Sequence, residues 1–274
     1  ALWIFSPFIK MFPVGLGLKM MVASTALVTL LFLLLLPIFS FYKHKNRLAF
    51  LAGILFLGFM ISAHLNSGFN EDNAKPTSLL YVYNADNNTS QWATYESILS
   101  DWTSQFIGNE KKIPAKLNDN TISSKYGSGF TYVSKAPAKE LALPLVQKTR
   151  DTLIGEERHL QICITPQRNV NRLEIFTNAA TIHKATVNTI HLSEYFLKNR
   201  RKGKLITHYI TDNGYTELEL VIPKNEKLEI KLYEASNDLL TNSLFTVPVR
   251  PKDNIPMPFV LNDAILITKT ITFE

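Results

Sequence analysis

Six histidines, one cysteine and one adjacent pair of glutamates are the residues of this chain best suited to chemistry. His44, His64, His159, His183, His191 and His208 never fall into H-E-x-x-H, H-x-D or H-x-H order, so the chain carries no compact metal motif. His183 and His191 straddle an expected hairpin and are expected to form a solvated pair. Gly155-Glu156-Glu157-Arg158-His159 sets two carboxylates beside an imidazole, the raw material of general acid–base chemistry. It stands in a mixed-charge turn just before an expected strand, which reads as surface. Cys163 lies in an alternating apolar stretch and reads as a small core residue. As the one cysteine present, it can form no intramolecular disulfide. The sequence contains no G-x-S-x-G, no G-x-G-x-x-G and no phosphate loop. No residue is therefore assigned a catalytic, cofactor-binding or metal role.

The elements that would carry these residues fall into two regions. Met20 to Tyr42 is an almost unbroken apolar run, Lys43-His44-Lys45-Asn46-Arg47 interrupts it, and Leu48 to Leu65 is apolar again. About 20 apolar residues at 1.5 Å each span the ~30 Å core of a bilayer. A transmembrane hairpin is expected, with Pro37 kinking its first helix. Ala1 to Phe12 resembles the tail of an earlier apolar helix, so residues 1–65 are expected to be the end of a longer bundle cut off at Ala1. No acidic residue precedes Glu71, and five of the basic residues lie in this region (Lys10, Lys19, Lys43, Lys45, Arg47). The formal charge of +6 thus leaves only +1 for the rest of the chain. The basic character belongs to the apolar segment and does not point to nucleic acid. The cluster Lys43–Arg47 places that turn in the cytoplasm by the positive-inside rule, and residues 66–274 on the other side.

Residues 66–77 (NSGFNEDNAKPT) read as a polar linker, and 78–274 as a mainly β, antiparallel sandwich with one or two helices. Strands are expected at Ser78–Asn84, Leu160–Thr165, Arg172–Thr177, Ala185–Ile190, Lys204–Thr211, Thr216–Ile222, Lys227–Glu234 and Ile265–Phe273, with a short one at Phe130–Val133. Trp92, Tyr95, Ile98, Leu99, Trp102 and Phe106 recur at three- and four-residue spacing, which predicts a helix over Gln91–Ile107 with an aromatic face packed on a sheet. Glu110–Ser134 reads as a long polar loop. Arg200-Arg201-Lys202-Gly203-Lys204 reads as a basic turn, and Asn87 and Asn88 head two overlapping glycosylation sequons.

Tyr83-Asn84-Ala85-Asp86, Gln91-Trp92-Ala93-Thr94-Tyr95 and Asp101-Trp102-Thr103-Ser104-Gln105-Phe106 resemble the C-terminal region of multi-pass membrane zinc metallopeptidases. These include endoplasmic reticulum metallopeptidase, vacuolar membrane protease and bacterial membrane aminopeptidase relatives. The Pro-rich tail Val249–Pro258, followed by Asp263–Phe273, is similar to the ending of the bacterial members. The resemblance spans residues 78–274. It implies an aminopeptidase domain elsewhere, with two zinc ions held by an H-x-D motif, a Glu-Glu pair, a further Asp and a late His. Those positions do not occur here, and Glu156-Glu157 is not that pair, since no H-x-D precedes it. The expectation is a non-catalytic membrane anchor and accessory β domain. Its expected partners are the lipid bilayer and a peptidase domain upstream or on another chain, and zinc would belong to that missing domain. The alternative is a stand-alone membrane-anchored binding module.

Overall fold

The computed structural model describes residues 2–16, 21–108, 111–113, 124, 129–200 and 203–274. The chain divides into two compact units, Ala1–Gly68 and Phe69–Glu274. The first unit is helical: α1 (Leu2–Leu16), α2 (Met21–Ser40) and α3 (Lys45–Leu65). Both α2 and α3 are long and apolar enough to cross a membrane. Only Ser24 and Leu31 are buried in α2, and no residue is buried in α3. Phenylalanines and leucines such as Phe50, Phe56 and Phe59 are 72 %, 66 % and 72 % exposed.

Hydroxyls inside these helices donate to backbone carbonyls, one of them across to the neighbouring helix. Pro13 has no N–H to give to the carbonyl of Ile9 one turn earlier, and the Ser24 hydroxyl of α2 donates to that carbonyl at 3.1 Å. Thr25 and Thr29 donate back to the carbonyls of Met21 (3.0 Å) and Thr25 (2.9 Å). The basic pentapeptide is divided: Lys43 and His44 lie in the turn, whereas Lys45, Asn46 and Arg47 form the first turn of α3.

The second unit is built on two large sheets. One has seven strands: β2 (Leu80–Asn84), β3 (Thr89–Thr94), β4 (Tyr132–Lys135), β7 (Arg172–Thr177), β10 (Lys204–Tyr209), β12 (Leu228–Ser236) and β14 (Ala264–Phe273). Their spatial order is β10-β7-β12-β14-β2-β3-β4, antiparallel except for the parallel pair β14–β2. The other sheet is antiparallel throughout, in the order β5-β6-β11-β8-β9, with β5 at Leu145–Ile154, β6 at Glu157–Thr165, β8 at Lys184–Val187, β9 at Ile190–His191 and β11 at Thr216–Pro223. Inside the region read as linker, β1 (Lys75–Thr77) pairs parallel with β13 (Asn254–Pro256).

Period-2 alternation explains the layering. Leu160, Ile162 and Ile164 of β6 and Leu218, Leu220 and Ile222 of β11 turn inward, where they share a core with Leu173, Ile175, Leu228, Ile230 and Leu232 of the seven-stranded sheet. The middle of the larger sheet is buried on both faces. Leu80, Val82, Ala93, Tyr233 and Leu266 lie on one side, and Tyr81, Trp92 and Ile265 on the other.

The helix expected over Gln91–Ile107 is not what forms. Gln91–Thr94 belongs to β3, the return arm of a hairpin with β2 whose turn places Asn88 at φ +53°. A short helix, α4 (Asp101–Ile107), starts only after Ser100, whose hydroxyl accepts the Thr103 N–H at 3.1 Å as an N-cap. Pairing to β2 overrides the helical spacing of the aromatics. Ala185–Ile190, expected as one strand, is broken by a turn at Asn188 and Thr189 (φ +44° and +69°) into β8 and β9. Helix α5 (Glu194–Lys198), capped by Ser193, follows.

Candidate functional site on the outer face of the five-stranded sheet

Side chains that alternate away from the shared core of β6, β11 and β8 form a polar face. Here the structure brings together part of the Gly155–His159 cluster and one of the paired histidines. Gly155, at φ +61°, makes the β5–β6 turn and starts β6 at Glu157. Glu157 then accepts a bond from His183 (Oε1–Nδ1, 2.7 Å), and its other oxygen lies 3.7 Å from Nε2 of His159. The hydrogen bond from His183, with the charges of both imidazoles, holds the Glu157 carboxyl below its ordinary range. His183 also lines a cleft of about 420 Å³ with Ala180, Thr181, Ile182, Glu194, Leu197 and Lys198.

His191 does not join His183. Its Nδ1 lies 3.0 Å from the hydroxyl of Thr186, so each imidazole has its own partner. Cys163 is not a core residue. It alternates with the buried Ile162 and Ile164, stands half-exposed on the outer face, and has Thr165 Oγ1 3.8 Å from its sulfur. The alternating pattern was right, but the odd positions of β6 face outward. His208 is half-buried against Thr216 (2.7 Å), and burial pushes its imidazole pKa down. Arg201 and Lys202 of the basic turn lie outside the described residues, as does most of the polar loop read at Glu110–Ser134.

Sequence reasoning missed the buried ion pairs. Arg158 turns inward beneath Glu157 and His159, donating to Asp151 through Nε and Nη2, each at 2.8 Å, and to the carbonyls of Phe273 (3.3 Å) and Glu274 (2.6 Å). This bond holds the Asp151 carboxyl well below the usual carboxylate range. Glu174, in the apolar run of β7, sits between Arg172 (2.8 Å) and Lys204 (3.1 Å). Glu234 lies 2.9 Å from Arg168, and burial pushes its carboxyl pKa up. Burial similarly raises Asp263, which Arg250 holds from the tail. The one available signal was a charge inside an apolar strand, as at Glu174.

The aromatic side chains pack as core. Trp92 stands edge-on to Tyr81 at 5.3 Å and tilted to Phe106 at 4.9 Å, and Phe245 closes on Tyr81 at 4.7 Å. The Pro-rich tail and the residue before it fasten to α4: Trp102 Nε1 donates to the Pro248 carbonyl at 3.0 Å, and the Arg250 guanidinium lies over the Trp102 ring at 4.9 Å. Glu96, almost fully buried, accepts from the backbone N–H groups of Ser78 (3.1 Å) and Ser100 (2.8 Å) and from the Thr103 hydroxyl.

What remains chemically open is a carboxylate between two imidazoles beside a cleft, a group that can exchange protons and hold a polar ligand. Among the described residues no three His, Cys, Asp or Glu side chains are grouped to hold a metal ion. The chain matches no protein-family model and no curated protein.

Proposed function

We propose that this chain is a non-catalytic membrane anchor and accessory β domain of a zinc-dependent aminopeptidase-like protein. The observation that carries the anchoring is the exposure of α2 and α3: two helices of 20 and 21 residues with almost nothing buried, joined by a short basic turn. That turn lies in the cytoplasm, and residues 66–274 lie on the opposite side. The accessory role rests on the resemblance of residues 78–274 and on the packing of its motifs. Helix α4, which carries the Asp101–Phe106 motif, meets the Val249–Pro258 tail where the Arg250 guanidinium lies over the Trp102 ring. Zinc and the hydrolytic residues belong to the peptidase domain that this region accompanies. Incubated with zinc and an aminoacyl 4-nitroanilide, the purified chain is expected to release no nitroaniline. Turnover abolished by a chelator would overturn the reading.

The cleft beside His183 favours a second reading, a stand-alone membrane-anchored module that binds a polar ligand at the Glu157–His159–His183 face.

A further inference from the structure

The five-stranded sheet ends on β5, which pairs with β6 along one side, while its other side carries no strand among the described residues. A free edge of ten residues is a template for another chain. This one leaves Leu145, Leu153 and Ile154 46 %, 58 % and 54 % exposed. It also contains one extra residue: the register shifts between Lys148 and Arg150, and the bulged Thr149 donates its hydroxyl to the Gln161 carbonyl at 3.1 Å.

In a regular strand of ten residues the two ends face opposite sides. The bulge changes this. Leu145, Gln147, Thr152 and Ile154 stand opposite Thr165, Cys163, His159 and Glu157, all on the outer face of the sheet. Val146, Lys148, Asp151 and Leu153 stand opposite Ile164, Ile162, Leu160 and Arg158, on the inner face. The strand therefore reads alike from both ends. Placed antiparallel against a second copy, with a two-fold axis between Thr149 and Arg150, Leu145 of one copy opposes Ile154 of the other. Val146 opposes Leu153, Gln147 opposes Thr152 and Lys148 opposes Asp151. Each of these pairs shares a face and the apolar residues meet apolar ones. Lys148 and Asp151 already bridge within each chain at 2.9 Å, so the charges at the seam are balanced and no like charges oppose each other. Arg150 meets Thr149 rather than another arginine.

We propose that the chain forms a two-fold homodimer by β5-to-β5 edge pairing, which joins two five-stranded sheets into one continuous sheet. The contact is isologous and closes on itself, so it covers the edge without propagating into a fibre. This proposal is independent of the anchoring and peptidase readings.

The register makes it testable by cross-linking the full chain in detergent, with Cys163→Ser removing the native thiol. Leu145→Cys with Ile154→Cys is expected to yield a covalent dimer on oxidation. Within one chain those positions are ~30 Å apart, too far to close. Either substitution alone, or Leu145→Cys with Leu153→Cys on opposite faces, is expected to stay uncoupled. Gln147→Cys with Thr152→Cys repeats the test should the first pair disturb folding. Light scattering on the unmodified chain is expected to give twice the 31.1 kDa protein mass. A monomeric mass, a folded paired variant that does not cross-link, or cross-linking regardless of register would each overturn the proposal.

Discussion

Asp151 and Arg158 show what a single residue contributes here. Arg158 sits in the middle of the turn sequence that looked most like surface chemistry, yet its side chain is only 7 % exposed and its charge is met by Asp151. Replacing Asp151 with Asn strips that charge of its partner and is expected to cost about 2 kcal/mol in thermal or denaturant unfolding of the full chain in detergent. The sign with pH follows from the depressed carboxyl. Its folded pKa lies below the unfolded value near 4, so the stabilisation is complete above about pH 4 and is lost as the pH falls toward the folded value. The D151N variant is expected to show a flatter acid limb than the parent, and identical acid limbs would contradict the assignment. Contacts of this kind were not legible in the sequence. Arg168, in the loop after β6, meets Glu234 of β12 only once the sheet has formed, and Arg250 meets Asp263 across the segment that carries β13. The Glu157–His183 bond likewise joins the start of β6 to the residue just before β8, and β11 lies between those two strands.

Elements with strict alternation could be read directly, and β6, β11 and β12 formed where their inward leucines and isoleucines required. Errors arose where two periods fit the same residues. Trp92, Tyr95, Trp102 and Phe106 match a helix, but Trp92 also opposes Tyr81 across a hairpin, and the ladder to β2 decides the outcome. The signal that could have separated them was the turn at Ala85–Asn88, which introduces a returning strand as readily as it ends one. The β8–β9 turn went unseen because it lacks the usual glycine: Thr189 adopts φ +69° with a branched side chain. Thr189→Gly removes that strain and is expected to stabilise the chain by about 1 kcal/mol, seen as a raised melting temperature. A lowered one would show that the Thr189 side chain does more than tolerate the turn. Asn188 should be left in place, since its side-chain oxygen accepts the Glu217 N–H at 2.7 Å.

For the molecule as a whole, the division into an apolar helical unit and a β unit was legible because it rests on composition and charge over long stretches rather than on local pairing. The basic residues of the helical unit carry most of the net charge, and two of its helices are long and apolar enough to cross a membrane, with nearly all their side chains exposed. Anchoring with residues 66–274 on the non-cytoplasmic side is the centre of the account. Insertion into sealed microsomes tests it directly, with the exposed β2–β3 turn carrying acceptors at Asn87 and Asn88. The account predicts a chain that resists carbonate extraction, gains glycan at this turn and keeps its β unit intact when protease is added outside. Release by carbonate, or digestion of the β unit by external protease, would contradict it.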